Sequence, residues 1–194
     1  MRPRFFFTAL VLAALFGATA VQAQQIDRDT GLPIGPGGYR GILLGSPVAR
    51  QTVAFDSKRY RPGSIVINTA ERRLYYVLEN GQAIRYGIGV GRLGFTWAGT
   101  TAVSQKREWP DWSPPPQMLK RRPDLPRWMP GGPNNPLGAR AIYLGSTLYR
   151  IHGSNEPETI GQAVSSGCFR MVNEDVIDLF GRVKVGTAVH VILK

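Results

Sequence analysis

Between residues 64 and 106, apolar and polar positions alternate in short runs separated by turn formers, the period of two that marks β-strands. Ser64-Ile65-Val66-Ile67-Asn68 reads as one strand and residues 73–78 as a second, with Leu74, Tyr76 and Leu78 alternating against Arg73, Tyr75 and Val77. Asn80-Gly81 follows, and because both residues tolerate positive φ the pair predicts a tight hairpin whose returning strand covers 83–90. Further strands are predicted at 101–106, 141–144, 147–151 and 188–193. Helical periodicity is scarce. Asn173 is placed to cap a helix with Glu174 and Asp175 in its first turn, Val176, Ile177, Leu179, Phe180 and Val183 on its apolar face, and Gly181 near its end. A shorter helical turn is expected within 157–164, with Pro157 in its first turn. The pattern therefore predicts a mainly β chain with a few short helices and no internal repeat.

Three stretches break the alternation. Arg2 and Arg4 precede an apolar run, Phe5 to Phe16, which passes through small residues to Val21-Gln22-Ala23; residues 1–23 read as a secretory signal peptide, too short in its apolar core for a bilayer span. No cysteine follows Ala23 directly, so neither lipid attachment nor a transmembrane anchor is expected after cleavage. Residues 24–60 hold Gly31, Pro33, Gly35, Pro36, Gly37 and Gly38, and read as a flexible lead ahead of a catalytic domain at 61–194. Residues 108–138 contain Trp109, Trp112, Trp128 and the run Pro114-Pro115-Pro116; a segment this long without periodicity is expected to form a flap over the cleft, lined by its tryptophans.

Composition narrows the chemistry. The chain of 194 residues carries 24 Lys+Arg against 13 Asp+Glu, a formal charge of +11, which calls for an anionic partner or surface. Export makes nucleic acid an unsuitable partner and a polyanionic cell wall a suitable one, and it places the product in a periplasm, associated with the wall. A single cysteine allows no internal disulfide and no cysteine-based zinc cage, and with two histidines a transition-metal site is not expected. No cofactor is expected.

That cysteine lies in the densest chemistry of the chain. Tyr149-Arg150-Ile151-His152-Gly153-Ser154-Asn155 is followed by Ile160-Gly161 and by Ser165-Ser166-Gly167-Cys168-Phe169-Arg170-Met171. A thiol is mostly protonated at neutral pH and needs a base or a positive charge to become a nucleophile. His152, at a strand end, is the candidate base for Cys168 on a following turn. Gly167 lets the backbone N–H groups of residues 167 and 168 turn toward a developing oxyanion. Arg170 is placed both to lower the thiol pKa and to hold a substrate carboxylate. Tyr149 joins the expected substrate-binding set. Arg150 is equally readable as a solvent-facing strand residue or a substrate ligand, and His190, between Val189 and Val191, as a surface or edge histidine.

At these residues the chain resembles the L,D-transpeptidase catalytic domains of bacterial cell walls, the ErfK/YbiS/YkuD family. The resemblance runs from about Ser64 to Lys194 and is most specific through Asn134-Asn135-Pro136-Leu137-Gly138-Ala139-Arg140, His152-Gly153, Ile160-Gly161, residues 165–171 and Asp178-Leu179. It implies a mixed β-sandwich or open-barrel fold with a flap. It also implies Cys168 as nucleophile, His152 as base, the Gly153 carbonyl as the group orienting the imidazole, and Ser165, Gly167 and Arg170 as residues shaping or lining the site. Ser166 stands where many members carry a second histidine. The implied substrates are peptidoglycan tetrapeptide stems, from which D-alanine is released as a thioester forms on Cys168. The acceptor is then the amine of a second diaminopimelate, an outer-membrane protein, or water in an L,D-carboxypeptidase. A sortase-like transpeptidase would draw its arginine from a separate later strand, and a non-catalytic peptidoglycan-binding module would need neither Cys168 nor His152.

Overall fold

The computed structural model describes residues 49–194 together with two short strands, β1 (Gln25–Ile26) and β2 (Pro33–Ile34), which pair antiparallel. The expected signal peptide, 1–23, and most of the expected lead lie outside the described residues. The remaining strands are β3 (Gln51–Ala54), β4 (Ile65–Asn68), β5 (Arg73–Val77), β6 (Gln82–Gly87), β7 (Val90–Gly91) and β8 (Gly99–Glu108). After helix α1 (Pro116–Arg121) come β9 (Arg140–Leu144), β10 (Arg150–His152), a 3-10 turn (Pro157–Thr159), β11 (Ala163–Ser165), β12 (Phe169–Arg170), helix α2 (Asn173–Arg182) and β13 (Ala188–Ile192). The chain is mainly β, as its alternation predicted.

Nine strands run in the order β12-β10-β9-β8-β13-β4-β5-β6-β3, and β7 and β11 pair separately in parallel. The long strand β8 turns the corner. Its residues 99–102 pair with β13, its residues 103–108 pair with β9, and the register shifts between Val103 and Gln105. A bulge of this kind bends a strand and raises its local twist, which lets one strand serve two packed halves. The two halves share one core. Ile65, Ile67, Leu74, Tyr86 and Val191 from one side meet Ile142, Leu144, Ile151, Phe169 and Leu179 from the other, all buried. Each such side chain contributes about 1.5–3 kcal/mol by leaving water.

The hairpin at Asn80-Gly81 forms as expected, with φ of 58° and 70° at its two central residues. The expected lead through residue 60 ends sooner, because β3 is the edge strand of the large sheet and pairs with β6. Its side chains are mostly exposed, so backbone hydrogen bonds hold it and no apolar alternation announces it. The expected helical turn at 157–164 shrinks to the 3-10 turn; residues 163–165 join β7 instead. His190 lies on a central strand, not an edge, with its Nδ1 3.1 Å from Thr100 Oγ1 and its ring 5.0 Å from that of Tyr60.

Helix α2 is fastened to the corner strand. Lys106 Nζ donates to the carbonyls of Phe180 at 2.6 Å and Val183 at 2.7 Å, satisfying acceptors at the helix end, and sits 4.1 Å from the Phe180 ring centroid. Replacing it by methionine keeps the aliphatic stem and removes both donors. Lys106→Met is expected to lower unfolding free energy by roughly 1–3 kcal/mol in urea titration.

Candidate active site

Strands β10 and β12 pair in parallel, Ile151 beside Phe169 and His152 beside Arg170. Strand alternation sends Ile151 and Phe169, both fully buried, into the core and turns Arg150, His152 and Arg170 to the other face. The residue preceding Phe169 is Cys168, which therefore stands beside Arg150. Two segments far apart in sequence are thus locked in register by short ladders, with Met171 N–H donating to the His152 carbonyl at 2.8 Å.

His152 is buried, and its Nδ1 lies 2.7 Å from the carbonyl of Gly153. A carbonyl can only accept, so Nδ1 carries the proton and Nε2 is left as the acceptor, the tautomer a base requires. Burial first, and then the positive charge of Arg170, hold the imidazole far below its usual range, at about 3, against the pull of the Gly153 carbonyl. The half-buried Cys168 thiol donates to the carbonyl of Leu148 at 3.7 Å. Burial pushes it above its ordinary value, outweighing hydrogen bonds from Arg150 and the charges of Arg150 and Arg170. Arg170 pulls in the expected direction and is overcome by desolvation. At neutral pH both members of the pair are uncharged.

Ser165 organises the turn that carries the thiol. Its hydroxyl donates to the Cys168 carbonyl at 2.6 Å and accepts the Gly167 N–H at 3.1 Å. The Gly167 amide, expected to face an oxyanion, is therefore used within the turn, and the amide of Cys168 is the one left without an acceptor among the described residues. Gly167 has φ of 108°, and a Cβ there would meet Tyr149 Cε1 at 2.5 Å. Tyr149 stacks on Trp97, ring centroids 4.9 Å apart, and thus packs beneath the turn from the core side.

Several positions were not foreseen. Asn173, expected as the cap, is the first residue of α2 after the boundary residue Val172. Its buried Oδ1 accepts from the backbone N–H of Ala139 at 3.0 Å and of Ser154 at 3.2 Å, and it occupies the space where a Cβ on Gly153 would stand. It fixes the peptide whose carbonyl orients His152. Asn135 closes the base of the 108–138 segment, its Nδ2 donating to Pro110 at 3.1 Å and Pro130 at 2.9 Å, while Trp112 and Met129 form a small bridge. Helix α1 brings that segment to the site: Arg121 Nη2 lies 3.4 Å from Ser166 Oγ. Arg121 and Arg92 also place their guanidinium groups over the Phe95 ring, 5.3 and 4.7 Å from its centroid. Trp128 is 57% exposed, and the tryptophan beneath the site is Trp97. His190 lies three strands away from β10. Among the described residues no group of His, Cys, Asp and Glu is arranged to hold a metal ion.

A family model of the L,D-transpeptidase catalytic domain, YkuD, matches residues 62–191. The chain is 44% identical over 173 residues to the protein of Escherichia coli K12 named Probable L,D-transpeptidase YbiS, covering 84% of this chain and 52% of that protein. It spans about half the length of the curated relatives it matches. Among solved structures, a Brucella melitensis protein described as a probable carnitine operon oxidoreductase is 47% identical with a TM-score of 0.51, over 73% of this chain and 91% of that one. An L,D-transpeptidase from Mycobacterium smegmatis, 16% identical, has a TM-score of 0.53 over 66% of this chain and 57% of that one, a likeness of fold.

The uncharged pair sets a pH dependence. Alkylation of Cys168 by iodoacetamide follows its thiolate, so its rate is expected to keep rising with pH through the ordinary thiol range without levelling off there; a plateau between about pH 5 and 7 would reveal a thiolate–imidazolium pair. Loss of the Asn173 acceptor strands two buried N–H groups. Asn173→Ala is expected to lose roughly 1–3 kcal/mol for each in chemical denaturation, and Asn173→Asp, which keeps an oxygen there, distinctly less.

Proposed function

The chain belongs to the L,D-transpeptidase catalytic-domain family, and from that membership we propose that it is a cysteine-dependent acyltransferase acting on peptidoglycan stem peptides that end in D-alanine. The observation that carries this reading is the Nδ1 hydrogen bond of His152 to Gly153, which leaves Nε2 unprotonated on the strand paired with the Cys168 turn. A binding module has no use for a buried histidine held in that tautomer.

In the proposed first half-reaction, Sγ of Cys168 attacks the carbonyl that joins the L-centre of diaminopimelate to D-alanine, while Nε2 of His152 takes the thiol proton. The oxyanion forms near the amide of Cys168. As the C–N bond breaks, His152 returns the proton to the departing amine, so D-alanine leaves neutral at nitrogen and a thioester remains. In the second half-reaction an amine attacks the thioester, His152 takes its proton, and sulfur leaves to recover it. With both groups uncharged at rest, proton transfer accompanies bond formation and no ion pair precedes it.

The acceptor amine belongs to a second diaminopimelate, giving a 3→3 crosslink, or to an outer-membrane protein, anchoring it to the wall. The basic charge of +11 and the leader-like residues 1–23 support export to a periplasm and residence at the wall. Ser165, Gly167 and Tyr149 serve by shaping the nucleophile turn, and Ser166 through its contact with Arg121.

Purified protein incubated with disaccharide-tetrapeptides is expected to release D-alanine and form 3→3 dimers detectable by mass spectrometry, and to gain one adduct at Cys168 with a carbapenem. Turnover that survives Cys168→Ala would falsify the mechanism, and intact tetrapeptide after incubation with the native chain would favour a binding module.

A further inference from the structure

Two arginines flank the thiol, and they differ in what they already hold. Arg170 Nη1 donates to the Glu156 carboxylate at 3.0 Å and to Thr159 Oγ1 at 3.2 Å. Its demand for an anion is met within the chain. Arg150 forms no ion pair with an acidic side chain among the described residues. Its guanidinium lies over the ring of Tyr143, Cζ 5.1 Å from the centroid, and its Nε is buried without a hydrogen-bond partner. A buried donor on a charged group is expensive to leave unpaired, and an orphan of this kind calls for an explanation. Register sets Arg150 beside Cys168 and on the face of His152.

We propose that Arg150, and not Arg170, is the carboxylate-reading residue of this site: its guanidinium receives the free terminal carboxylate of the residue displaced from the acyl donor. The inference rests on the transpeptidase reading and deepens it. The carboxylate of a terminal D-alanine is three bonds beyond the carbonyl carbon that sulfur attacks, about 4–5 Å away at ordinary bond lengths. A long arginine side chain on the strand position beside Cys168 has the reach to meet it. A planar fork also suits a carboxylate better than a point charge does. The consequence is selection for stems in which the scissile bond is the last one, because an amide or a further residue at that position offers no matching anion and strands the arginine.

Two arms test this. The first needs no stem peptide: iodoacetate and iodoacetamide alkylate Cys168 and differ in one carboxylate. Their rate ratio in the native chain is expected to exceed that of free cysteine, and to fall roughly 10- to 100-fold in Arg150→Gln. The second compares tetrapeptides ending in D-alanine with the same peptides ending in D-alanine carboxamide. The native chain is expected to favour the free acid in kcat/KM, Arg150→Gln to lose that preference, and Arg150→Lys to keep part of it. Both readouts are ratios within one preparation, so partial misfolding of a variant does not imitate them. If Arg150→Gln slows acid and carboxamide equally and leaves the alkylation ratio alone, the proposal is overturned and the transpeptidase reading stands. If the alkylation ratio collapses in a protein that turns over neither peptide, the carboxylate site stands and the transpeptidase reading is overturned.

Discussion

The parallel pairing of β10 with β12 is the constraint on which the site depends. Cys168 and His152 arrive from segments separated by a 3-10 turn and a short strand, and only the register of Ile151 with Phe169 brings them to one place. That register is held from the core side, where Ile151, Phe169 and Ile142 are fully buried; a slip of one residue would expose them and bury two arginines. The chemistry on one face of the sheet is therefore aligned by hydrophobic packing on the other. Asn173 extends the same logic to the orienting carbonyl, tying the start of α2 to the ends of β9 and β10.

Burial has a second effect. It holds the thiol pKa up against two nearby guanidinium groups that favour thiolate, and together with them it holds the imidazole neutral. A thiol in that state resists oxidation, since the thiolate is the reactive form. Reactivity is then released by a carbonyl delivered to the sulfur, not by standing ionisation.

Much of this was legible in the residues. Alternation and short apolar runs located β4, β5, β8, β9 and β13, and the Asn80-Gly81 turn; β13 alternates buried and part-exposed positions, while β4 and β9 are buried along nearly their whole length. The motif around Cys168 located nucleophile and base because a glycine with positive φ and a base with its orienting carbonyl leave local traces. What could not be read was held by backbone alone or by distant partners. Strand β3 has no buried alternation, β7 and β12 are two residues each, and α1 lies in a proline-rich run without a buried side chain. Arg150 and Arg170 look alike in sequence, and only the placement of Glu156 separates them. Asn173 looked like a cap because its service to Ala139 and Ser154 crosses the fold. The tryptophans of 108–138 suggested a cover, yet contact with the nucleophile turn came from Arg121.

Strand β13 is last of the strands in sequence and sits in the middle of the sheet, between β8 and β4. Residues 188–192 close the ladder between the two halves, which meet again where Gly89 bridges Arg170. The nine-stranded ladder therefore cannot be completed before residues 188–192 are available. Its central pairings join strands far apart in sequence, contacts of the kind that form slowly.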